Sequence, residues 1–140
     1  MRPRIPYRAA AVLLLVFAIG HTLGFRDSDP TWGIGPVLAA MQSTQFSIQG
    51  FTRTYWDFFV GAGFTVGVLY VFAAVLAWQM GGLPGEALAL MRVTAWGFAC
   101  CFAVVTAVSV THLFLIPIIM SALITVCLSA AAWSSSRFAA

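Results

Sequence analysis

Four long apolar stretches run along the chain, separated by short polar breaks. They lie at about residues 7–25, 55–80, 88–111 and 113–133. A helix needs about 20 apolar residues to cross the hydrocarbon core of a bilayer, and each stretch is close to that length. The pattern predicts an all-α fold, a transmembrane four-helix bundle in which residues 1–140 form a single membrane domain.

The first stretch also has features of a secretory signal peptide, because Arg2, Arg4 and Arg8 surround the start of an apolar run. No small-residue cleavage site follows, since the run ends in residues 21–25, His-Thr-Leu-Gly-Phe. We therefore expect this stretch to be retained as the first membrane-spanning helix.

Residues 26–53 form the one long polar break. Five residues within it recur near helical spacing, with glutamines and serine elsewhere on the helical wheel. Such a pattern favours a short amphipathic helix that lies in the membrane–water interface. These five residues are Val37, Leu38, Met41, Thr44 and Ile48.

Three local features predict how the spans meet. Gly63 and Gly67 are four residues apart in the second span, which favours close helix approach either inside the bundle or in a dimer. Residues 111–114 form a very short turn, so the third and fourth spans should make a tight hairpin. Residues 134–137, Ser-Ser-Ser-Arg, should form a short polar tail in water.

Composition supports a membrane domain over a soluble one. The chain is 61% hydrophobic and 8% charged, whereas a soluble domain carries about 25% charged residues. Its seven arginines are spread along the chain and form no cluster that would track a phosphate backbone, so nucleic acid is excluded as a partner. The three cysteines lie in apolar stretches without a CxxC spacing, as packing residues do.

The arginines also predict orientation. An even number of spans places both termini on one side, together with five of the seven arginines. Cytoplasmic loops carry an excess of positive charge, so both termini should be cytoplasmic and the loop at 26–53 extracytoplasmic. The side with five holds Arg2, Arg4, Arg8, Arg92 and Arg137, and the other holds Arg26 and Arg53.

Ionisable residues in membrane spans are costly, so each is a candidate for function. Three segments bring such residues to the extracytoplasmic end of the predicted bundle, where they would line a polar pocket. Asp57 could orient His21 for proton transfer or pair with Arg53, and the two outer arginines could hold an anionic head group. The candidate ligand-binding residues are His21, Arg26, Arg53, Tyr55, Asp57 and His112, of which His21 and Asp57 are also the candidate catalytic acid and base.

A structural interpretation of the same residues remains open. Arg53 and Asp57 are four apart and could pair on one helix, which would only fix where the helix meets water. His21 could donate a hydrogen bond to a neighbouring helix and tie the bundle together. His112 could simply be the wet tip of a hairpin.

Cofactor chemistry has little support in the sequence. Bis-histidine ligation of haem b by His21 and His112 is the one alternative, and the position of His112 in a turn argues against it. A metal site usually requires a third ligand, for which Asp57 is the only obvious candidate. We therefore expect no metal and no cofactor.

Two stretches carry a resemblance to a known family. They are His21-Thr22-Leu23-Gly24-Phe25 and the segment from Gly50 to Gly61, GFTRTYWDFFVG. With these stretches the chain resembles a family of uncharacterised small four-span bacterial integral membrane proteins. The resemblance implies a bacterial inner-membrane location and directs attention to His21 and Asp57. It implies no activity, and His112 belongs to neither stretch.

Three functions are consistent with these features. The first is a membrane protein that binds a lipid-like or other amphiphilic molecule at the extracytoplasmic polar pocket. The second is a small membrane enzyme, such as an isomerase, that uses His21 and Asp57 on a lipid-like substrate. The third is a packing subunit of a homodimer or a larger membrane complex, docked through the glycine face of the second span.

Overall fold

The computed structural model describes residues 3–136, which form six α-helices, one 3-10 turn and one β-hairpin. Four of these helices are long and apolar enough to cross a membrane. The predicted all-α fold is therefore confirmed, with the hairpin as an addition. The long helices are α1 (Arg4–Gly24), α3 (Tyr55–Met80), α5 (Arg92–His112) and α6 (Leu115–Ser136), and the short ones are α2 (Gly35–Ser43) and α4 (Gly85–Leu90).

The chain divides into two compact units. Among the described residues, the bundle unit comprises residues 3–17 and 70–136, and the loop unit comprises residues 18–69. Helices α1 and α3 each contribute to both units, because the boundaries fall within them.

The bundle unit has one core to which all four long helices contribute. More than half of its buried apolar residues are alanine, so the helix backbones approach closely, as in other membrane bundles. Six of the eight buried positions on α6 alternate between spacings of four and three, which is the repeat of helices that pack at a small crossing angle. These positions are Pro117, Ser121, Ile124, Leu128, Ala131 and Ser135.

Several hydroxyl groups on the long helices donate to carbonyls of their own helix. Thr65 donates to the carbonyl of Gly61, and Ser109 to that of Val105, each over 2.8 Å. A hydroxyl bonded to the carbonyl one turn earlier leaves no donor exposed to lipid. One pair also joins two helices, since the Oγ1 atoms of Thr106 and Thr125 lie 3.0 Å apart.

The start of the third span and the end of the fourth differ from the sequence prediction. The third span is preceded by α4 and interrupted at Met91, so it is not one helix from 88. The fourth helix continues through the serines expected to form a polar tail. Ser134 and Ser135 are buried, because each hydroxyl donates to a carbonyl four residues earlier and the side chain then packs as an apolar one. Arg2 and Arg137, which entered the orientation argument, lie outside the described residues.

The loop unit contains the predicted interfacial helix, although it is shorter than the periodicity suggested. Helix α2 includes Val37, Leu38 and Met41 and ends at Ser43. The helical prediction for Thr44 and Ile48 is wrong, because Ile48 lies in a β-hairpin. Strands β1 (Gln45–Ile48) and β2 (Phe51–Thr54) pair antiparallel.

The hairpin reverses through Gln49 and Gly50, whose φ angles are +52° and +83°. Positive φ at both central residues is the geometry of a type I′ turn, which matches the twist of the flanking strands. Glycine adopts this conformation without strain, whereas glutamine does not. The sequence signal for the turn was therefore weak, because only Gly50 is a residue typical of a type I′ turn and Gln49 is not.

The start of the loop is held by a local cap. The hydroxyl and the backbone amide of Thr31 donate to Asp29 Oδ1 over 2.6 and 2.8 Å, ahead of the 3-10 turn Pro30–Trp32. These two donors hold the pKa of the Asp29 carboxyl below its ordinary value. The carboxylate thus already has donors within the loop.

We expect the turn residues to control the stability of the hairpin. Gly50→Ala places a Cβ in the left-handed region at a cost of about 1–2 kcal/mol, so amides of β1 and β2 should exchange with solvent faster. Gln49→Gly should slow their exchange, because it removes the strain at the other central position. Hydrogen-exchange mass spectrometry of residues 45–54 measures both effects.

Gly61→Ala is the matched control, because a Cβ at Gly61 meets no atom within 4 Å and the position is helical. Equal exchange rates in Gly50→Ala and the wild-type protein would contradict the turn assignment.

Candidate functional site

His21 lies in the last turns of α1 and is half-buried in the loop unit. Its Nε2 lies 3.0 Å from the carbonyl oxygen of Gly63 on α3. A carbonyl only accepts, so this nitrogen carries the proton and donates. The ring also stacks on Phe25, with the centroids 5.3 Å apart and the planes 18° from parallel. His21 therefore ties the end of α1 to α3.

Gly63 and Gly67, two of the three glycines of α3, make room for the end of α1 and for Phe25. A Cβ at Gly63 would clash with the ring of Phe25, and a Cβ at Gly67 would lie 2.6 Å from Thr22 Oγ1. Both glycine positions are thus contacted by α1 of the same chain. The glycine spacing predicted close helix approach either within the chain or in a dimer. The structure shows the approach within the chain.

Asp57 forms the N-terminal cap of α3. Its Oδ2 accepts from the amide and the hydroxyl of Thr54 over 2.8 and 3.0 Å, and the Asp57 amide donates to Thr54 Oγ1 over 3.1 Å. This reciprocal pair is a capping box, with aspartate at the position usually held by glutamate or glutamine. It satisfies backbone donors that the first helical turn would otherwise leave without partners.

The carboxylate of Asp57 is exposed, and its hydrogen bonds within residues 3–136 go to Thr54. Gly63, the partner of His21, lies six residues further along α3, a rise of about 9 Å. The geometry of the described residues therefore gives His21 and Asp57 separate hydrogen-bond partners.

Arg53 is exposed at the end of β2. Its Nη1 donates to the carbonyl of Thr52 over 2.8 Å, and its guanidinium carbon lies 5.3 Å from the centroid of the Phe51 ring. The hydrogen bonds of the described residues thus give no direct Arg53–Asp57 pair of the kind that the structural interpretation suggested.

Arg26 extends from the end of α1 and is exposed. Its guanidinium carbon lies 5.6 Å from the ring centroid of Phe25 and 5.3 Å from that of Phe64. Both distances are within the range of cation–π attraction. Arg26 therefore lies beside the rings that also surround His21.

Tyr55 belongs to a second group of rings beside the hairpin. The Tyr55 side chain is 59% exposed, and its ring lies 5.2 Å from that of Phe46. Phe46 also contacts Phe58, one turn into α3, at 5.3 Å. The hairpin therefore packs along the first turn of a helix long enough to span a membrane.

His112 is exposed at the end of α5, in the bundle unit, whereas the other five candidates belong to the loop unit. Its Nδ1 lies within hydrogen-bond distance of Thr111 Oγ1. The short turn predicted there is confirmed, since only Leu113 and Phe114 separate α5 from α6.

Among residues 3–136, no three His, Cys, Asp or Glu side chains are grouped so that they could hold a metal ion. The expectation of no cofactor, with haem ligation by His21 and His112 as its alternative, stays a prediction.

Comparisons with known proteins add no functional assignment. Neither the family models, nor the curated proteins, nor the solved structures contain a match to this chain. The resemblance to four-span bacterial proteins stays a prediction. The function is therefore inferred from the contacts and charges of the candidate residues.

The capping box of Thr54 and Asp57 was not predicted from the sequence. Its signal was present, because a threonine followed three residues later by an acidic residue, directly before an apolar run, marks a helix N-terminus. The spacing from Arg53 instead favoured a pair between Arg53 and Asp57 as the structural role of Asp57. The Gly63–Phe25 contact had no sequence signal beyond the glycine spacing.

We expect double-mutant cycles to separate the roles of Asp57 and His21. Thr54→Ala and Asp57→Ala should each reduce the free energy of unfolding by about 1 kcal/mol, and together by less than their sum, because they remove the same cap. His21→Phe keeps a ring on Phe25 and removes the donor to Gly63, at a cost of about 1 kcal/mol. Combined with Asp57→Ala, its effect should be additive within about 0.5 kcal/mol.

Reversible unfolding in mixed detergent micelles measures each free energy. A coupling well above that limit between His21 and Asp57 would instead show that they act as a pair.

Proposed function

We propose that this chain is a multi-pass protein of the bacterial inner membrane, with both termini in the cytoplasm. It binds an amphiphilic molecule at the extracytoplasmic membrane interface. The head group lies at Arg26 and Arg53, and the apolar part lies against the aromatic rings of the loop unit. The observation that carries this proposal is the position of each exposed guanidinium beside aromatic rings at the ends of apolar helices.

The donor geometry of the two arginines, and not the net charge of the loop unit, favours an anionic head group at this site. The loop unit has more carboxylates than guanidinium groups. Two of these carboxylates, Asp29 and Asp57, already accept hydrogen bonds from neighbouring threonines. A guanidinium presents several donors in a planar fork that suits carboxylate or phosphate oxygens. Arg26 and Arg53 are therefore the groups best suited to hold an anion there.

The hairpin supplies an apolar surface beside these cations. Cross-strand partners share a face, so Ile48 and Phe51 lie on the same face as Phe46 and Arg53. Ile48 and Phe51 are 51% and 60% exposed, which is unfavourable in water and favourable against acyl chains. Unpaired strand edges need water, so this hairpin suits the head-group region and not the hydrocarbon core.

Within this proposal, His21 shapes the site by joining α1 to α3, and Tyr55 lines it. Asp57 fixes the start of α3 through its cap. His112 is left out, because it belongs to the bundle unit. The enzyme alternative requires His21 and Asp57 to exchange protons with a substrate. It is less favoured because His21 is hydrogen-bonded to Gly63 and Asp57 to Thr54, which gives both residues structural roles.

We expect an anionic amphiphile to remain bound when the protein is extracted gently from its own membrane. Native mass spectrometry should show it on the wild-type protein, and Arg26→Gln with Arg53→Gln should remove most of it, because the head group loses both cations.

Arg92→Gln is the matched control, since Arg92 is also exposed at a helix end but belongs to the bundle unit. If the double variant retains the molecule as fully as Arg92→Gln does, the assignment of the head-group site is wrong. Bulk phospholipid alone on the wild-type protein would also contradict the proposal.

We expect the hairpin turn to be accessible from outside the cell. In a variant with alanine at all three native cysteine positions, Gln49→Cys should react with a membrane-impermeant maleimide in intact cells, because it lies at the tip of the extracytoplasmic hairpin. Leu83→Cys, in the turn between α3 and α4, should react only after permeabilisation. The reverse pattern would place both termini outside the cytoplasm.

A further inference from the structure

Two adjoining grooves lie at the start of α1 in the bundle unit, and both are lined by Arg4 and Arg8. The first groove is partly polar and has a volume of about 610 Å³. It is completed by Pro3 and by the turn between α3 and α4, residues 81–85. The second groove is apolar, with a volume of about 620 Å³. It is completed by Ile5, Ala9, Val12 and Leu13.

Arg8 has a fixed place between these grooves. Its guanidinium carbon lies 3.4 Å from the centroid of the Trp78 ring. A glycine pair is also close to the guanidinium, since a Cβ at Gly81 would lie 3.3 Å from Arg8 Nε and a Cβ at Gly82 would lie 3.6 Å from Nη2. The aromatic ring and the bare backbone thus hold the guanidinium in one orientation.

The Nε atom of Arg8 is buried and has no hydrogen-bond acceptor among residues 3–136. A guanidinium that is stacked and oriented before a ligand arrives loses little side-chain entropy on binding. Arg4, one turn earlier on α1, is exposed beside the same groove. The positive end of the α1 dipole lies there as well. Three sources of positive potential therefore meet at the polar groove.

The position of the grooves along the helices indicates what they hold. The polar groove lies where α1 begins and α3 ends, and both helices are long enough to span a membrane. Lipid head groups occupy that level of a bilayer. The apolar groove follows α1 from Ile5 to Leu13, a rise of about 12 Å along the span. An acyl chain attached to a head group at the arginines would run in this direction.

We propose that Arg4 and Arg8 bind the phosphate of an anionic phospholipid, one of whose acyl chains lies along Ile5, Ala9, Val12 and Leu13. An arginine pair matches phosphate oxygens in both charge and geometry. Glu86, on α4 directly after this turn, is the nearest acidic residue in sequence, and one carboxylate does not offset two guanidinium groups. This site differs in residues from the one at Arg26 and Arg53, so either proposal can fail without the other.

Lipid titration followed by native mass spectrometry tests this site directly. Phosphatidylglycerol should bind the wild-type protein at least about tenfold more tightly than phosphatidylcholine with the same acyl chains, because only the former has a net negative charge. Inorganic phosphate at the same concentration should not compete, because it has no acyl chain for the apolar groove.

Variants then assign the binding to residues. Arg4→Gln and Arg8→Gln should each weaken phosphatidylglycerol binding by about tenfold, since each removes a charge-assisted contact. Ala9→Trp should weaken it while leaving both arginines in place, because the new ring occupies the apolar groove. Arg92→Gln is the matched control for loss of one positive charge and should bind as the wild-type protein does, because Arg92 is exposed and lines neither groove.

Three outcomes would overturn the proposal. One is that Arg4→Gln binds phosphatidylglycerol as tightly as Arg92→Gln does. Because Arg4 is exposed, the Arg4→Gln variant is not expected to disturb folding. Another is equal binding of phosphatidylglycerol and phosphatidylcholine. The third is displacement of the lipid by inorganic phosphate, which would indicate a site for a free anion.

Discussion

Hydrocarbon offers no hydrogen-bond partner, so every polar group inside a membrane-spanning helix must find one in the protein. The hydroxyls of α3, α5 and α6 meet this constraint by donating to carbonyls one turn earlier, as Thr65, Ser109 and Ser135 do. His21 meets it across helices, through the carbonyl of Gly63. The same constraint explains the cap at Asp57, which supplies partners for amides at the start of α3. His21 and Asp57, which the sequence indicated as candidates for chemistry, therefore form hydrogen bonds with backbone groups and neighbouring side chains.

The apolar runs were long enough to predict the four spans, and the second was predicted with its boundaries because polar residues surround it closely. The loop was harder, since its side chains fit two periodicities. Ile48 falls on the helical face that begins at Val37, yet it also alternates with Ser47 and Phe46 as a strand requires. Tertiary contact between Phe46 and the rings of Tyr55 and Phe58 favours the strand. Such contacts between distant residues are not visible in local spacing.

The candidate site was predicted in part. The sequence placed His21, Arg26, Arg53, Tyr55 and Asp57 at the ends of spans one and two, and all five belong to the loop unit. Which side chains bond to each other could not be derived, because that depends on helix rotation. A turn of α1 by one residue would bring a different side chain to Gly63. The groove at Arg4 and Arg8 was missed for a related reason, since it depends on how a glycine turn approaches the first turns of α1.

The alanine-rich core of the bundle unit has a thermodynamic consequence. Alanine has no side-chain rotamers, so more than half of the buried core residues lose no side-chain torsional freedom when these helices pack together. Each helix is already formed in lipid before it meets its neighbours. Assembly of the bundle then depends mainly on close contact between backbones, which tolerates loss of a methyl group poorly and gain of a larger side chain hardly at all. The shape of the helix surfaces, more than their hydrophobicity, determines which helices pair.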